Sequence, residues 1–173
     1  MADNPTTLRI RPERPADVAA ITRVVESAFL SHPHSDQTEH LIILALRHAG
    51  ALSVSLVAQR EAEVVGHIAF SPVQISDGSA HWYGLGPVAV LPQLQHQGIG
   101  KALINRGLAA VRALGAQGCV VVGAPDYYGR FGFKHRSECI FEGVPPEYFQ
   151  SLTFGQHSAA GKVTYHEAFR AKG

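Results

Sequence analysis

Two glycines in the run Gln95-His96-Gln97-Gly98-Ile99-Gly100-Lys101 carry the clearest chemical potential in this chain. They lie between an apolar run ending at Val90 and a long stretch with helical spacing. The first N–H groups of a helix have no partner inside it, and the helix dipole favours negative charge beside them. Glycine removes the Cβ that would hold a ligand away from the backbone. A turn of this kind receives a pyrophosphate through main-chain amides, and Lys101 adds one positive charge nearby. Three phosphate-binding patterns compete here. A P-loop needs Ser or Thr after Gly-Lys and a glycine at position 95, where this chain has Ala102 and Gln95. A dinucleotide turn needs a glycine at 103, which is Leu. The pattern Gln/Arg-x-x-Gly-x-Gly/Ala is matched at every specified position by Gln95, Gly98 and Gly100.

Histidine offers a second chemistry, since the chain has ten. The densest group, His32, His34 and His40, lacks both the i, i+4 pair of a zinc-binding helix and a cysteine partner. It reads as a loop and an exposed helix face, and no metal site is expected. Cys119 and Cys139 lie in apolar runs and read as buried free thiols of a reducing compartment. Trp82 and Tyr83 read as strand aromatics of the core.

The elements that must position the glycine turn follow from periodicity. Leu8 to Arg11 alternates as a short strand. Val18, Ile21, Val25 and Ala28 make one face of a helix that opens at Pro15 and Asp17. A second helix is predicted from Asp36 to Ala49, with Leu41, Leu44, Ala45 and His48 sharing a face. Leu52 to Gln59 and the run from Val64 to Phe70 form a hairpin across the polar turn Arg60-Glu61-Ala62-Glu63. Trp82 to Val90 is the third strand of an antiparallel meander. The longest helix then runs to about Leu114, with Leu103, Gly107, Ala110 and Leu114 at helical spacing. Cys119 to Gly123 reads as a buried, parallel strand. A short helix around Tyr127 to Phe131 leads to a strand beginning at Phe133, Val144 to Glu147 is a loop, and Val163 to Phe169 a final edge strand. These elements form one domain over 1–173: an α/β (α+β mixed) fold whose mixed sheet carries helices on its faces.

Composition narrows the function. The chain has 173 residues, 46% hydrophobic and 17% charged, with a formal charge of +1. That balance suits a packed domain and supplies no field for nucleic acid. Residues 1–7 lack the basic and apolar regions of a signal peptide, and no apolar stretch approaches a membrane span. The cytoplasm is the expected location.

The run from Leu85 to Leu103 resembles the signature of the GNAT superfamily of N-acetyltransferases, and Tyr128-Gly129-Arg130-Phe131-Gly132-Phe133 is similar to its Tyr-x-x-x-Gly-Phe. Gly123 to Phe133 and the tail from Val144 to Tyr165 resemble a bacterial subgroup of predicted acetyltransferases. The resemblance implies a mostly antiparallel central sheet with helices on both faces, acetyl-CoA as cosubstrate, and a primary amine as acceptor attacked directly in a ternary complex. It implies that the pantetheine arm lies along Val88, Ala89 and Val90. Gln95 opens the turn, and the amides of His96, Gln97, Gly98, Ile99, Gly100 and Lys101 ring the pyrophosphate. A gap must then open beside the strand for the acyl arm.

In that reaction a backbone N–H near Val88 stabilises the oxyanion. The resemblance gives Tyr128 the role of protonating the departing sulfur, while Tyr127 packs. Arg130 either caps a helix or contacts the 3′-phosphate of CoA. Some family members carry a glutamate on the strand before the turn. Gly84 stands there in this chain, and Trp82 to Val90 contains no carboxylate. His67, His81, Glu26 and Glu39 remain candidate bases, beside a water chain or capture of the neutral amine. The loop between the first two helices is expected to border the acceptor. A polyamine, an amino acid, an antibiotic or a protein terminus all fit, and an apolar edge near Val163 suggests a homodimer. A second reading keeps the fold as an acyl-CoA sensor or interaction module that transfers nothing.

Overall fold

The computed structural model describes residues 7–172; most of the segment read for a signal peptide, residues 1–6, lies outside them. Eight strands form one sheet: β1 (Arg9–Pro12), β2 (Val54–Arg60), β3 (Glu63–Ile75), β4 (Trp82–Val90), β5 (Gly118–Val122), β6 (Cys139–Ile140), β7 (Phe149–Thr153) and β8 (Gly161–Tyr165). Their main order is β1-β2-β3-β4-β5-β7, and β8 joins the far end of β3 and carries β6. All pairings are antiparallel except β4 with β5 and β6 with β8. The helices α1 (Val18–Phe29) and α2 (Glu39–His48) lie on one face, and α3 (Ile99–Ala113) and the single turn α4 (Pro125–Tyr128) on the other.

Periodicity explains the layering. Ile21, Val24 and Val25 of α1 pack with Ile43, Val57 and Ala89. On the opposite face Leu103, Ile104, Leu108 and Val111 of α3 pack with Leu56, Ile68, Phe70 and Val90. Successive strand residues point to opposite faces, so β4 sends Val88 and Val90 to α3 and Ala89 to α1. The β2–β3 hairpin closes with Glu61 at φ 52° and Ala62 at φ 65°. Positive φ at both central residues is the type I′ geometry that matches strand twist.

Asp17 anchors the start of α1. It receives a bidentate ion pair from Arg11 (2.7 and 3.0 Å) and the Arg14 amide at 2.6 Å. The Arg11 guanidinium holds its pKa down at about 2, against the cost of burial.

Several expectations need correction. In α2 the buried residues are Ile42, Ile43 and Leu46, while Leu44 is exposed. The predicted face of Leu41, Leu44, Ala45 and His48 is rotated, because α2 has two partners. Ile43 meets α1, and Ile42 and Leu46 meet Ala168 in a C-terminal 3-10 turn at Glu167–Arg170. No strand starts at Phe133; Lys134 makes only an isolated bridge with Ser151, and β6 begins at Cys139. β7 was not anticipated. It buries Gln150 and Ser151, so it lacks the apolar alternation that marks strands, and the Gln150 side chain is satisfied by the Gly123 carbonyl at 3.1 Å. The last strand ends at Tyr165, where His166 caps the 3-10 turn through Nδ1. Val163 is buried, and β8 pairs with β3 through Val163–Tyr165 and with β6 through Gly161 and Lys162.

Gly107 lies in the middle of α3 against Phe70, and a Cβ there would overlap the fully buried ring. Alanine is the better helix former by about 1 kcal/mol, yet overpacking a rigid site costs typically 1–3 kcal/mol. Gly107→Ala is therefore expected to lower stability by roughly 1 kcal/mol, read as a lower midpoint in urea unfolding; a gain in stability would contradict this packing.

Candidate active site

The site begins where β4 leaves β5. The two strands pair only at Trp82↔Gly118, Tyr83↔Cys119 and Gly84↔Val120. Beyond Gly84, β5 continues with β7, and no strand among the described residues pairs with that edge of β4. A bulge marks the departure. Between the pairs Ile68↔Val88 and Phe70↔Leu85, β3 has one residue and β4 has two, Gly86 and Pro87. Proline brings no N–H to the ladder. Past the bulge, Leu91 donates to the Val65 carbonyl at 2.9 Å. Antiparallel alternation then directs the Ala89 amide toward β3 and those of Val88 and Val90 into the gap. The gap required for an extended ligand is thus present, and a donor at Val88 faces it.

The glycine turn sits at the end of this open edge. Gln95 turns its amide back to the Val90 carbonyl at 3.1 Å, which ties the turn to the strand. His96 adopts φ 63° and Gly98 φ 86°, where Gly98 is the N-cap of α3. The first helical bond joins the Ala102 amide to the Gly98 carbonyl at 3.0 Å. The amides of Ile99, Gly100 and Lys101 consequently stand outside the helix ladder. His96, Gln97, Gly98 and Lys101 are exposed, while Ile99 is buried and anchors the turn in the core. The structure therefore brings Val88, Ala89, Val90 and Gln95 through Lys101 into one continuous strip.

α4 bridges the two diverging strands. It follows β5 after Gly123, and its Tyr127 hydroxyl reaches the glycine turn: a Cβ at Gly100 would lie 3.1 Å from it. Tyr127 packs edge-on against Tyr128 and Phe131, and the Arg130 guanidinium lies 5.9 Å from its ring centre. Packing was anticipated for Tyr127; its closeness to the turn was not. Tyr128 is buried against Gly123 and Phe133, and burial raises its pKa above that of an ordinary phenol.

On the other side of the gap lies a cavity of about 350 Å³. Leu85, Gly86, Pro87 and Val122 form its inner end at the strand divergence. Phe29, Glu39 and Ile42 come from α1 and α2, and Phe141, Tyr165 and Phe169 from the C-terminal part. The Tyr165 ring lies where a Cβ at Gly84 would be, so the missing strand carboxylate has a steric reason. Tyr165 was not singled out from sequence; the only hint was Gly84 itself. Its hydroxyl is buried without a hydrogen-bond partner.

The four candidate bases now separate. Glu39 lines the cavity; Ser35 Oγ donates to its Oε1, and its Oε2 is buried without a partner. Glu26 is exposed and pairs with His40 at 3.3 Å. His81 is exposed in a turn. His67 lies in β3 on the α1 face, with Nε2 at 2.7 Å from Ser55 Oγ. Burial, aided by Arg47, lowers its pKa to about 3. His32 and His34 are exposed, and no group of three metal-ligating side chains occurs among the described residues. Cys119 and Cys139 are both free and buried, and burial lifts the Cys139 thiol to about 11.

Residues 19–133 match the model of the Acetyltransferase (GNAT) family. The chain belongs to this family. It is 31% identical over 167 residues to the Escherichia coli K12 protein described as uncharacterized N-acetyltransferase YhbS, covering 92% of this chain and 97% of that one. The crystal structure of a GNAT family acetyltransferase from Brucella melitensis in complex with acetyl-CoA is 50% identical, with a TM-score of 0.84 over 94% of this chain and 98% of the other. The structure of Escherichia coli YhbS in complex with CoA gives a TM-score of 0.88 at 29% identity, over 100% and 97% of the two chains. The mixed, mostly antiparallel sheet with its flanking helices is the fold these GNAT proteins share. No helix among the described residues is long and apolar enough to cross a membrane.

A neutral, enclosed His67 carries a pH consequence. Its folded pKa lies below the unfolded value of about 6.5, so the stability it contributes is complete above that value. It is lost as pH falls toward about 3. Its imidazole carbon shifts, followed by NMR, should stay flat from pH 8 to pH 5; a midpoint near 6.5 would refute the assignment.

Proposed function

We propose that this GNAT protein is an N-acetyltransferase that binds acetyl-CoA along β4 and passes the acetyl group directly to a primary amine. One observation carries the reading: the unpaired edge of β4 beyond Gly84 runs straight into the unladdered amides that open α3. An extended ligand with amides at one end and a diphosphate at the other matches that strip. Pantetheine would lie along Val88, Ala89 and Val90 and pair its amides with the gap-facing backbone groups of Val88 and Val90, as an added strand pairs with a sheet edge. The pyrophosphate would lie on the amides of His96, Gln97, Gly98, Ile99, Gly100 and Lys101. Gln95 serves this site indirectly, by holding the turn against Val90. The acetyl-CoA and CoA complexes of the Brucella and YhbS proteins support the choice of ligand. Two free buried cysteines agree with a cytoplasmic location.

The chemistry follows from the local groups. The thioester carbonyl would sit at the strand divergence, where the Val88 amide faces its oxygen. A fixed N–H stabilises the tetrahedral oxyanion without reorganising as charge develops. As the C–S bond breaks, the sulfur takes a proton from the Tyr128 hydroxyl. Burial keeps that phenol protonated throughout the neutral and mildly alkaline range.

Two experiments test this. Around Gly98 no atom lies within 4 Å of an added Cβ, so the obstruction in Gly98→Val would fall on the ligand, with some strain from φ 86°. The variant should fold and bind CoA at least about 10-fold more weakly by calorimetry, roughly 1.4 kcal/mol; unaltered affinity would remove the pyrophosphate from this turn. Tyr128→Phe should cut turnover by about 100-fold while CoA affinity stays the same. Normal turnover in that variant would end the proton-donor role.

A further inference from the structure

Resting on the N-acetyltransferase reading, we propose that the acceptor is a small primary amine with an apolar, preferably aromatic, body and no second charge, received as its ammonium ion by Glu39. Three features of the cavity support this. Its walls are mostly rings and aliphatic groups, among them Phe29, Phe141, Tyr165 and Phe169. Among the described residues Glu39 is the one charged residue lining it, with no Lys, Arg or His. The Oε2 of Glu39 is buried with no hydrogen-bond partner, while Oε1 is held by Ser35. A carboxylate oxygen left unpartnered is costly, and a rotation of the Glu39 side chain that turned Oε2 to the cavity would let an ammonium group meet that need. The rings add a favourable surface for a cation and its hydrocarbon body.

The same features exclude other amines. An amino acid would bring a carboxylate with no cation to receive it. A polyamine or aminoglycoside would bring further ammonium groups with no second carboxylate in the lining to receive them. At about 350 Å³ the cavity lies at the low end of the range for small-molecule sites, roughly 300–1,000 Å³.

Glu39 is well placed to complete the reaction, because its cavity opens onto Leu85, Gly86 and Pro87 at the strand divergence. The ammonium gives one proton to Glu39, and the neutral nitrogen attacks the thioester carbon. The C–N bond forms, the C–S bond breaks, and sulfur leaves with the electron pair. The nitrogen's second proton goes to the Tyr128 phenolate left when that hydroxyl protonates the sulfur, so Tyr128 ends the cycle as it began. Glu39 returns its proton to solvent, so one proton is released per amide formed. Glu39 and Tyr165 are the titratable residues lining the cavity, and Tyr165 is held protonated by burial.

The test is release of free CoA thiol by the full chain with acetyl-CoA and 2-phenylethylamine, spermidine, L-phenylalanine or kanamycin. The expected kcat/KM for 2-phenylethylamine exceeds each of the others by at least about 100-fold, near the yield of one well-placed acid–base group. In Glu39→Gln the value should drop by about 100-fold with unchanged CoA affinity. It should then rise tenfold per pH unit up to the amine's own pKa, since only free amine reacts; Glu39→Asp should recover part of the loss. Preference for spermidine, phenylalanine or kanamycin, or a Glu39→Gln profile identical to the parent, would overturn the acceptor assignment and leave the transferase reading standing. Thiol release with none of the amines, despite tight CoA binding, would overturn both.

Discussion

A β-strand cannot leave its edge amides and carbonyls buried without partners. In this protein that constraint falls on β4 beyond Gly84. The bulge at Gly86 and Pro87 turns the strand from its neighbour, and the edge then faces a gap where a strand would ordinarily pair. A closed sheet would satisfy the same groups but admit nothing. The open one holds hydrogen-bonding capacity in reserve for a molecule of extended shape. The proposed coenzyme site therefore begins as a defect in sheet pairing, held open by packing on both faces.

That packing is what makes the gap durable. Ala89 is clamped from the α1 side and Val90 from the α3 side. α3 can approach the sheet closely because Gly107 leaves room for Phe70. Ile99 sinks into the same core and fixes the height at which the helix starts. The Gln95 side chain occupies the Val90 carbonyl, the last of β4. The position of the exposed amides is thus set by apolar contacts and by hydrogen bonds within the turn and back to β3 and β4.

Much of this half is legible in the sequence. Gly98 and Gly100 sit between two clear periodicities, and a local turn needs only local signals. The meander, the long helix and the parallel placement of β5 followed for the same reason. What escaped was non-local. β7 hides because Gln150 and Ser151 are buried polar residues, satisfied by partners distant in sequence. The face of α2 was misread because its second partner is a turn near the C-terminus. Glu39 stood among four candidate bases and could not be separated from them, since its setting depends on rings contributed by three other parts of the chain. Tyr165 shows in the sequence only as the end of the tail that resembles the bacterial subgroup, and through the small residue opposite it, Gly84.

The stretch that matches the family, residues 19–133, contains the whole glycine turn and the open edge of β4. Phe141, Tyr165 and Phe169, which enclose the cavity from outside, all lie after it. Phe29, Glu39 and Ile42 lie inside that stretch, so the chamber is built jointly by the family region and the tail. A change of ring in the tail would reshape one wall of the chamber while leaving the glycine turn as it is.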